Sequence, residues 1–336
     1  MELWQPGLRN LLTDLDGVTV GNASDERMKS GTTAILFDRP AVASALVLGG
    51  APGSRDIELL DPANTVGGVD AFVLSGGSAF GLDAASGVQS YLREAGRGFE
   101  VAGFRVPIVP AAIVFDLANG GDKDWGFASP YAALGLDAAR LASRDFVLGT
   151  AGAGTGATTA VCKGGLGSAS IRLPGGITVA ALVIVNAVGS PLVGGTRSFW
   201  AAPFEIAGEF GGLGLPHPMP ADAAMPRTKH GAREGANTTV AVIATDAVLT
   251  KGEAKRLAVA AHDGFARALY PVHTDFDGDL VFAAATGTSG IAPSPLDRMM
   301  LAAAASAAMS RAIARGVFEA MGTPGDRLPA WRDLPA

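Results

Sequence analysis

Several segments of this chain are apolar at consecutive positions where a half-wet strand would alternate. The strand-like runs are residues 33–37, 45–48, 71–74, 107–113, 177–186, 238–244 and 280–285. A strand with one wet face reads apolar–polar–apolar; one without that alternation is covered on both faces. Two stacked sheets with helices over their outer faces meet this demand.

Alanine-rich helical stretches separate the runs, which makes the chain α/β. Residues 78–94 carry apolar side chains at helical spacing, with Gly96 and Gly98 beyond. Thr250-Lys251-Gly252-Glu253 is a capping box opening a helix to about Leu269, stopped by Pro271. Ser294-Pro295-Leu296-Asp297 joins an N-cap to a proline at the first helical position and starts a helix to about Met321. The 336 residues are 48% hydrophobic and 17% charged, enough for one large domain or two ordinary ones. A net charge of −6 argues against nucleic acid or an anionic membrane as main partner. The longest apolar run, residues 299–309, is too short to span a bilayer. No basic-then-apolar leader opens the chain, and a lone Cys162 excludes an internal disulfide, so a reducing cytoplasm is the expected location.

Residues 208–236 form the clearest break. Four glycines lead into Pro216, Pro218, Pro220 and Pro226 without periodicity, so the segment is expected to be an exposed connection. Connections this long are often functional. This one ends at Asn237-Thr238, where the strand at 238–244 begins. A threonine hydroxyl needs an adjacent base. A threonine at a chain terminus carries one, its own α-amino group. Cleavage before Thr238 would create that arrangement. The plainer alternative is a threonine that merely opens a strand.

Asp277-Gly278-Asp279 precedes the strand at 280–285. It does not fit an EF-hand, because the glycine is fourth in the loop from Asp275 and the twelfth residue is Thr286. Two residues apart on a strand, the carboxylates would share a face. They could orient an ammonium group and accept from the threonine hydroxyl; the alternative is a solvated turn. Lys163 follows the glycine-rich stretch 152–158, which lacks both the phosphate-loop ending and the dinucleotide spacing. Near a nucleophile its charge would favour deprotonation; otherwise it is an exposed lysine. Asn186, at a strand end, could donate to an oxyanion or simply cap a turn. The histidines (His217, His230, His262, His273) have no metal-ligand spacing, and no serine or cysteine motif makes a triad with His273.

Together these residues resemble the aminopeptidase family typified by L-aminopeptidase/D-amino-acid esterase–amidase (DmpA type), with the β-aminopeptidases and the self-processing nylon-oligomer hydrolase. The resemblance is carried by residues 12–18, 30–33, 49–55, 106–112 and 152–158, the Thr238 and Asp277 regions, and above all Leu74-Ser75-Gly76-Gly77-Ser78-Ala79-Phe80-Gly81-Leu82-Asp83-Ala84-Ala85. It implies a four-layered α–β–β–α sandwich of N-terminal-nucleophile-hydrolase type. It implies a single domain, 1–336, cut between Asn237 and Thr238 into chains 1–237 and 238–336 that stay together in a homo-oligomer. By matched position it implies Thr238 as nucleophile, Asn186 at the oxyanion and Lys163 near the nucleophile. Asp277 and Asp279 match the Asp-x-Asp of the nylon-hydrolase branch. Phe115 stands where several members carry tyrosine, implying a more apolar substrate pocket. No cofactor or metal is implied. The expected substrates are small peptides, amino-acid amides or linear amide oligomers. An acyltransferase resembling ornithine acetyltransferase, or an unprocessed binding protein on the same scaffold, are the alternatives.

Overall fold

The non-alternating strands lie where a core on both faces requires them. A computed structural model describes residues 4–229 and 237–335. Its strands are β1 (Val18–Asp25), β2 (Ser30–Val47), β3 (Ser54–Arg55), β4 (Val69–Ser75), β5 (Phe99–Val101), β6 (Phe104–Val106), β7 (Ala111–Ile113), β8 (Gly165–Arg172), β9 (Thr178–Asn186), β10 (Thr238–Thr245) and β11 (Leu280–Ala285). The helices are α1 (Ala84–Glu94), α2 (Tyr131–Arg140), α3 (Lys251–Ala268) and α4 (Pro295–Phe318).

β2 belongs to two sheets. Its first part pairs antiparallel with β1 and β4, and residues 42–47 pair with β11. One sheet therefore runs β1–β2–β4–β7–β3 and the other β2–β11–β10–β9–β8. Sequence reading divided β2 into two strands because Asp38, Arg39 and Pro40 intervene. Those residues are exposed, and the register shifts between Leu36 and Ala41, where the strand passes from one sheet to the other.

Three apolar clusters separate four layers. Ile35, Phe72, Leu182, Ile184, Val240 and Phe282 fill the space between the sheets. Val183, Ile243 and Val281 face α3 and α4 from the opposite side of the second sheet. Leu36 and Val73 do the same toward α1 and α2. In β10, Val240 and Val242 point to one cluster and Ala241 and Ile243 to the other, the two-sided burial read from the sequence. The architecture is α–β–β–α. Glycine lets the layers close at matching points. A Cβ on Gly21 would sit 1.9 Å from the Ala138 carbonyl of α2, and one on Gly167 equally close to the Ala312 carbonyl of α4.

Both capping boxes form as read, with Thr250 accepting from Glu253 and Ser294 from Asp297. Other elements differ. The expected helix 78–94 opens as a 3₁₀ turn over Ser78–Asp83, because the chain leaves a tight corner with Gly77 and Ser78 both at positive φ. Residues 107–113 are strand only from Ala111, since Pro107 and Pro110 have no N–H to give a ladder. β1, β8, α2 and the β5–β6 hairpin were not legible at all. The connection 208–236 is not uniformly exposed. Phe210 is buried, Glu209 pairs with buried Arg311, and only 211–229 runs mostly along the surface. Residues 230–236 lie outside the described residues, and His230 with them. No helix among the described residues is long and apolar enough to cross a membrane.

Candidate active site

Thr238 is the first residue of β10, a central strand between β9 and β11. Its register partner is Asn186, the last residue of β9. On the other side, Asn237 forms a parallel bridge with Asp277, just before β11. Strand pairing alone therefore brings residues far apart in sequence to one end of the sheet.

The Asn237–Thr238 peptide is buried and doubly engaged. The Thr238 hydroxyl donates to the carbonyl oxygen of Asn237, and the Gly278 N–H donates to that same oxygen at 3.1 Å. Thr238 is only 2% exposed. The Asn237 carboxamide is also buried, and neither its oxygen nor its nitrogen has a hydrogen-bond partner among the described residues. Each such group costs about 1–3 kcal/mol.

Gly278 packs directly on the threonine. A Cβ there would lie 2.7 Å from Thr238 Oγ1 and 2.7 Å from the Ala51 carbonyl oxygen. Its flanking carboxylates, both 1% exposed, go different ways. Asp277 accepts from the Val188 N–H (3.3 Å) and from Thr274 Oγ1 (2.8 Å). Burial, and then the Asp279 charge, push its pKa up to about 6. Asp279 accepts from the Thr239 N–H (2.8 Å) and lies 2.8 Å from His273 Nδ1. In the uncut chain neither carboxylate is bonded to the Thr238 hydroxyl. The nearest acceptor to that hydroxyl is its own preceding carbonyl, and the aspartates are committed to backbone, Thr274 and His273. His273 sits at φ +55°, a left-handed conformation uncommon outside glycine, held there by bonds from both its N–H and Nδ1 to Asp279.

Asn186 is buried at the strand end. Its Nδ2 donates to the Phe115 carbonyl (3.0 Å), and its Oδ1 accepts from the Thr158 N–H (3.0 Å) and Lys229 Nζ (3.2 Å). Phe115 is half-buried and meets the site through its main chain. Lys163 is neither an exposed lysine nor joined to Thr238. It is buried, and Nζ is 2.7 Å from Asp326 Oδ2 on the C-terminal segment, where Lys29 takes the other oxygen. The lysine that reaches Asn186 is Lys229. Desolvation lowers its pKa to about 7, and Asp277 opposes that shift. Sequence reading missed Lys229, Gly278 as a backbone donor, and the His273–Asp279 contact. Only Gly278 had a local signal, its place inside Asp-Gly-Asp. Cys162 is buried with its thiol pushed up to about 11, an inert packing residue. Two surface grooves of about 540 and 400 Å³ are lined by other residues and include none of those above.

This arrangement can polarise one peptide carbonyl from two sides while holding a hydroxyl against it. Comparisons with known proteins bear on the same chemistry. The model of peptidase family S58 matches residues 10–328. An uncharacterized aminopeptidase of Mycobacterium tuberculosis is 40% identical over 344 residues, covering 97% of this chain and 98% of that protein. A 6-aminohexanoate-oligomer endohydrolase of Kocuria sp. (strain KY2) is 29% identical, covering 86% of this chain and 78% of the other. The solved L-aminopeptidase D-Ala-esterase/amidase of Ochrobactrum anthropi, a variant of the Ntn hydrolase fold, superposes with a TM-score of 0.71 over 98% of this chain and 93% of its own, at 22% identity.

Proposed function

Because the chain belongs to peptidase family S58 and is a hydrolase of peptide or amide bonds, we propose that it makes its own nucleophile by cutting the Asn237–Thr238 bond. The observation that carries this reading is the doubly held carbonyl of Asn237, with the Thr238 hydroxyl on one side and the Gly278 N–H on the other.

In the first cut, Thr238 Oγ1 bonds to the Asn237 carbonyl carbon and its proton passes to the departing Thr238 nitrogen. The C–N bond breaks, leaving an ester and a new α-amine. Gly278 N–H holds the oxyanion formed on the way. Water then hydrolyses the ester, giving an Asn237 carboxylate and a Thr238 with hydroxyl and amine side by side. In turnover the α-amine takes the hydroxyl proton, Oγ1 bonds to the substrate carbonyl carbon, the proton passes on to the substrate nitrogen, and the C–N bond breaks to release the substrate's amine. Water releases the acid from the acyl-enzyme. Asn186 lies opposite Thr238 in the sheet, and the Nδ2 hydrogen not given to the Phe115 carbonyl is the one suited to the substrate oxyanion. Peptides with a free N-terminus, amino-acid amides and linear amide oligomers are the proposed substrates. Chains 1–237 and 238–336 stay joined through the shared sheet, because β10 pairs with β9 and β11 pairs with β2, both strands of the larger piece.

Intact-mass spectrometry of wild type and Thr238→Ala tests this. Wild type should resolve into two chains, the smaller beginning Thr-Thr-Val-Ala-Val, and should turn over amides. Thr238→Ala should stay whole and inactive. An uncut wild type with amidase activity, or an active alanine variant, overturns it.

A further inference from the structure

Lys229 precedes the junction by a short stretch, yet its side chain is not left to solvent. Its N–H donates to the Val188 carbonyl at 3.1 Å, docking this segment on the chain that continues from β9. From there Nζ meets Asn186 twice, at the backbone oxygen and at Oδ1, each 3.2 Å. Thr158 N–H shares the same Oδ1, and the Phe115 carbonyl takes Nδ2. Donors on one side and an acceptor on the other allow one orientation of the carboxamide, oxygen toward Lys229 and nitrogen toward Phe115. Without Lys229, Oδ1 keeps the Thr158 N–H alone, and the amide has less to hold it opposite Thr238.

The surroundings make this an unusual place for a lysine. Taking an ammonium out of water is costly unless its charge is used. Lys163 answers that cost with a close ion pair to Asp326. Lys229 instead points at neutral oxygens, and the charged group bearing on it is Asp277. Behind Asp277 stand Asp279 and then His273.

We propose that Lys229 is a positioning residue for the first cut: by holding the Asn186 carboxamide and backbone oxygen it fixes the end of β9 against Thr238, its register partner, and it sets a positive charge beside Asp277. This rests on the self-cleavage reading above. The charge is present below about pH 7 and lost above it, since burial has lowered the amine to that range. The cleavage rate should therefore fall as pH rises past about 7.

The test is the rate of self-cleavage in freshly translated full-length chain, followed by intact mass from pH 5.5 to 9, for wild type, Lys229→Met and Lys229→Arg. Loss of a hydrogen bond from a charged donor typically costs about 10–100-fold. Lys229→Met should be slowed by that factor. Lys229→Arg keeps donors and charge, so it should stay within about tenfold of wild type and lose the fall above neutrality. Lys229→Met cutting at the wild-type rate refutes the inference. If Lys229→Met does not fold, Lys229→Arg decides: an arginine profile superimposed on wild type refutes it, and a persisting rate at high pH supports it. A wild-type chain that never cuts sinks the self-cleavage reading itself, a different outcome from variants that cut normally.

Discussion

Gly278→Ala adds one methyl group at the point where the turn before β11 touches Thr238. The backbone does not forbid alanine, because Gly278 is not among the residues at positive φ. The obstacle is space. The new carbon would lie 2.7 Å from Thr238 Oγ1, 3.0 Å from Thr238 Cγ2 and 2.7 Å from the Ala51 carbonyl oxygen. Comfortable contact needs about 3.5 Å or more, so something must move by about 0.5–1 Å. Ala51 is tied to the same turn, its N–H donating to the Asp277 carbonyl at 2.8 Å. The threonine side chain, or the Gly278 N–H that holds the Asn237 oxygen, therefore gives way. A misplacement of about 1 Å costs on the order of 100-fold in rate, or about 2.7 kcal/mol in barrier. The assay is an intact-mass time course of self-cleavage at pH 7. The half-time should lengthen about a hundredfold, with the slowed chain still folded by thermal melt. Gly252→Ala, in α3 with open space around it, should cut like wild type. Gly278→Ala cutting within twofold of wild type would refute the claim that this glycine is required by the nucleophile.

Two further outcomes are best measured by chemical denaturation in a Thr238→Ala background, where the chain stays whole. Burial and the neighbouring Asp279 raise the Asp277 pKa from the usual carboxylate range to about 6, so its ionisation opposes folding; the penalty is absent below the unfolded pKa, grows as pH rises through the interval and is complete above about 6. Asp277→Asn should therefore gain stability relative to Asp277 between pH 4 and 7 by about 3 kcal/mol, and a difference that stays flat with pH contradicts this. Arg311 is fully buried, with Nη2 2.9 Å from Glu209 Oε2 and from Asn10 Oδ1. Glu209→Ala strands that cation and should cost about 3–5 kcal/mol; a loss below about 1 kcal/mol would mean the segment carrying Glu209 is not held by this pair.

The strand at 238–244, the capped helices and the Thr238 junction were legible because their signals are local: unbroken apolarity, a Thr-x-x-Glu box, a structureless approach to a strand. β2 was misread for the same reason in reverse. Its polar middle interrupts the apolar run, so sequence alone shows two short segments, 33–37 and 45–48, whereas one strand passes between two sheets. α2 was invisible because its packing on β1 depends on Gly21 allowing the Ala138 carbonyl close, a fact about another element.

The four layers follow from hydrophobic patterning, which each segment carries in itself, since burial of apolar surface has no direction and needs no particular partner. The roles of the polar residues do not. Lys163 and Lys229 are the same residue type, yet one is spent on Asp326 and the other turns to Asn186. Asp277 and Asp279 are two positions apart, yet one accepts from Val188 and Thr274 and the other from Thr239. Hydrogen bonds and ion pairs are short-ranged and directional, so their partners are chosen only when the completed chain path sets donors and acceptors within about 3 Å of each other.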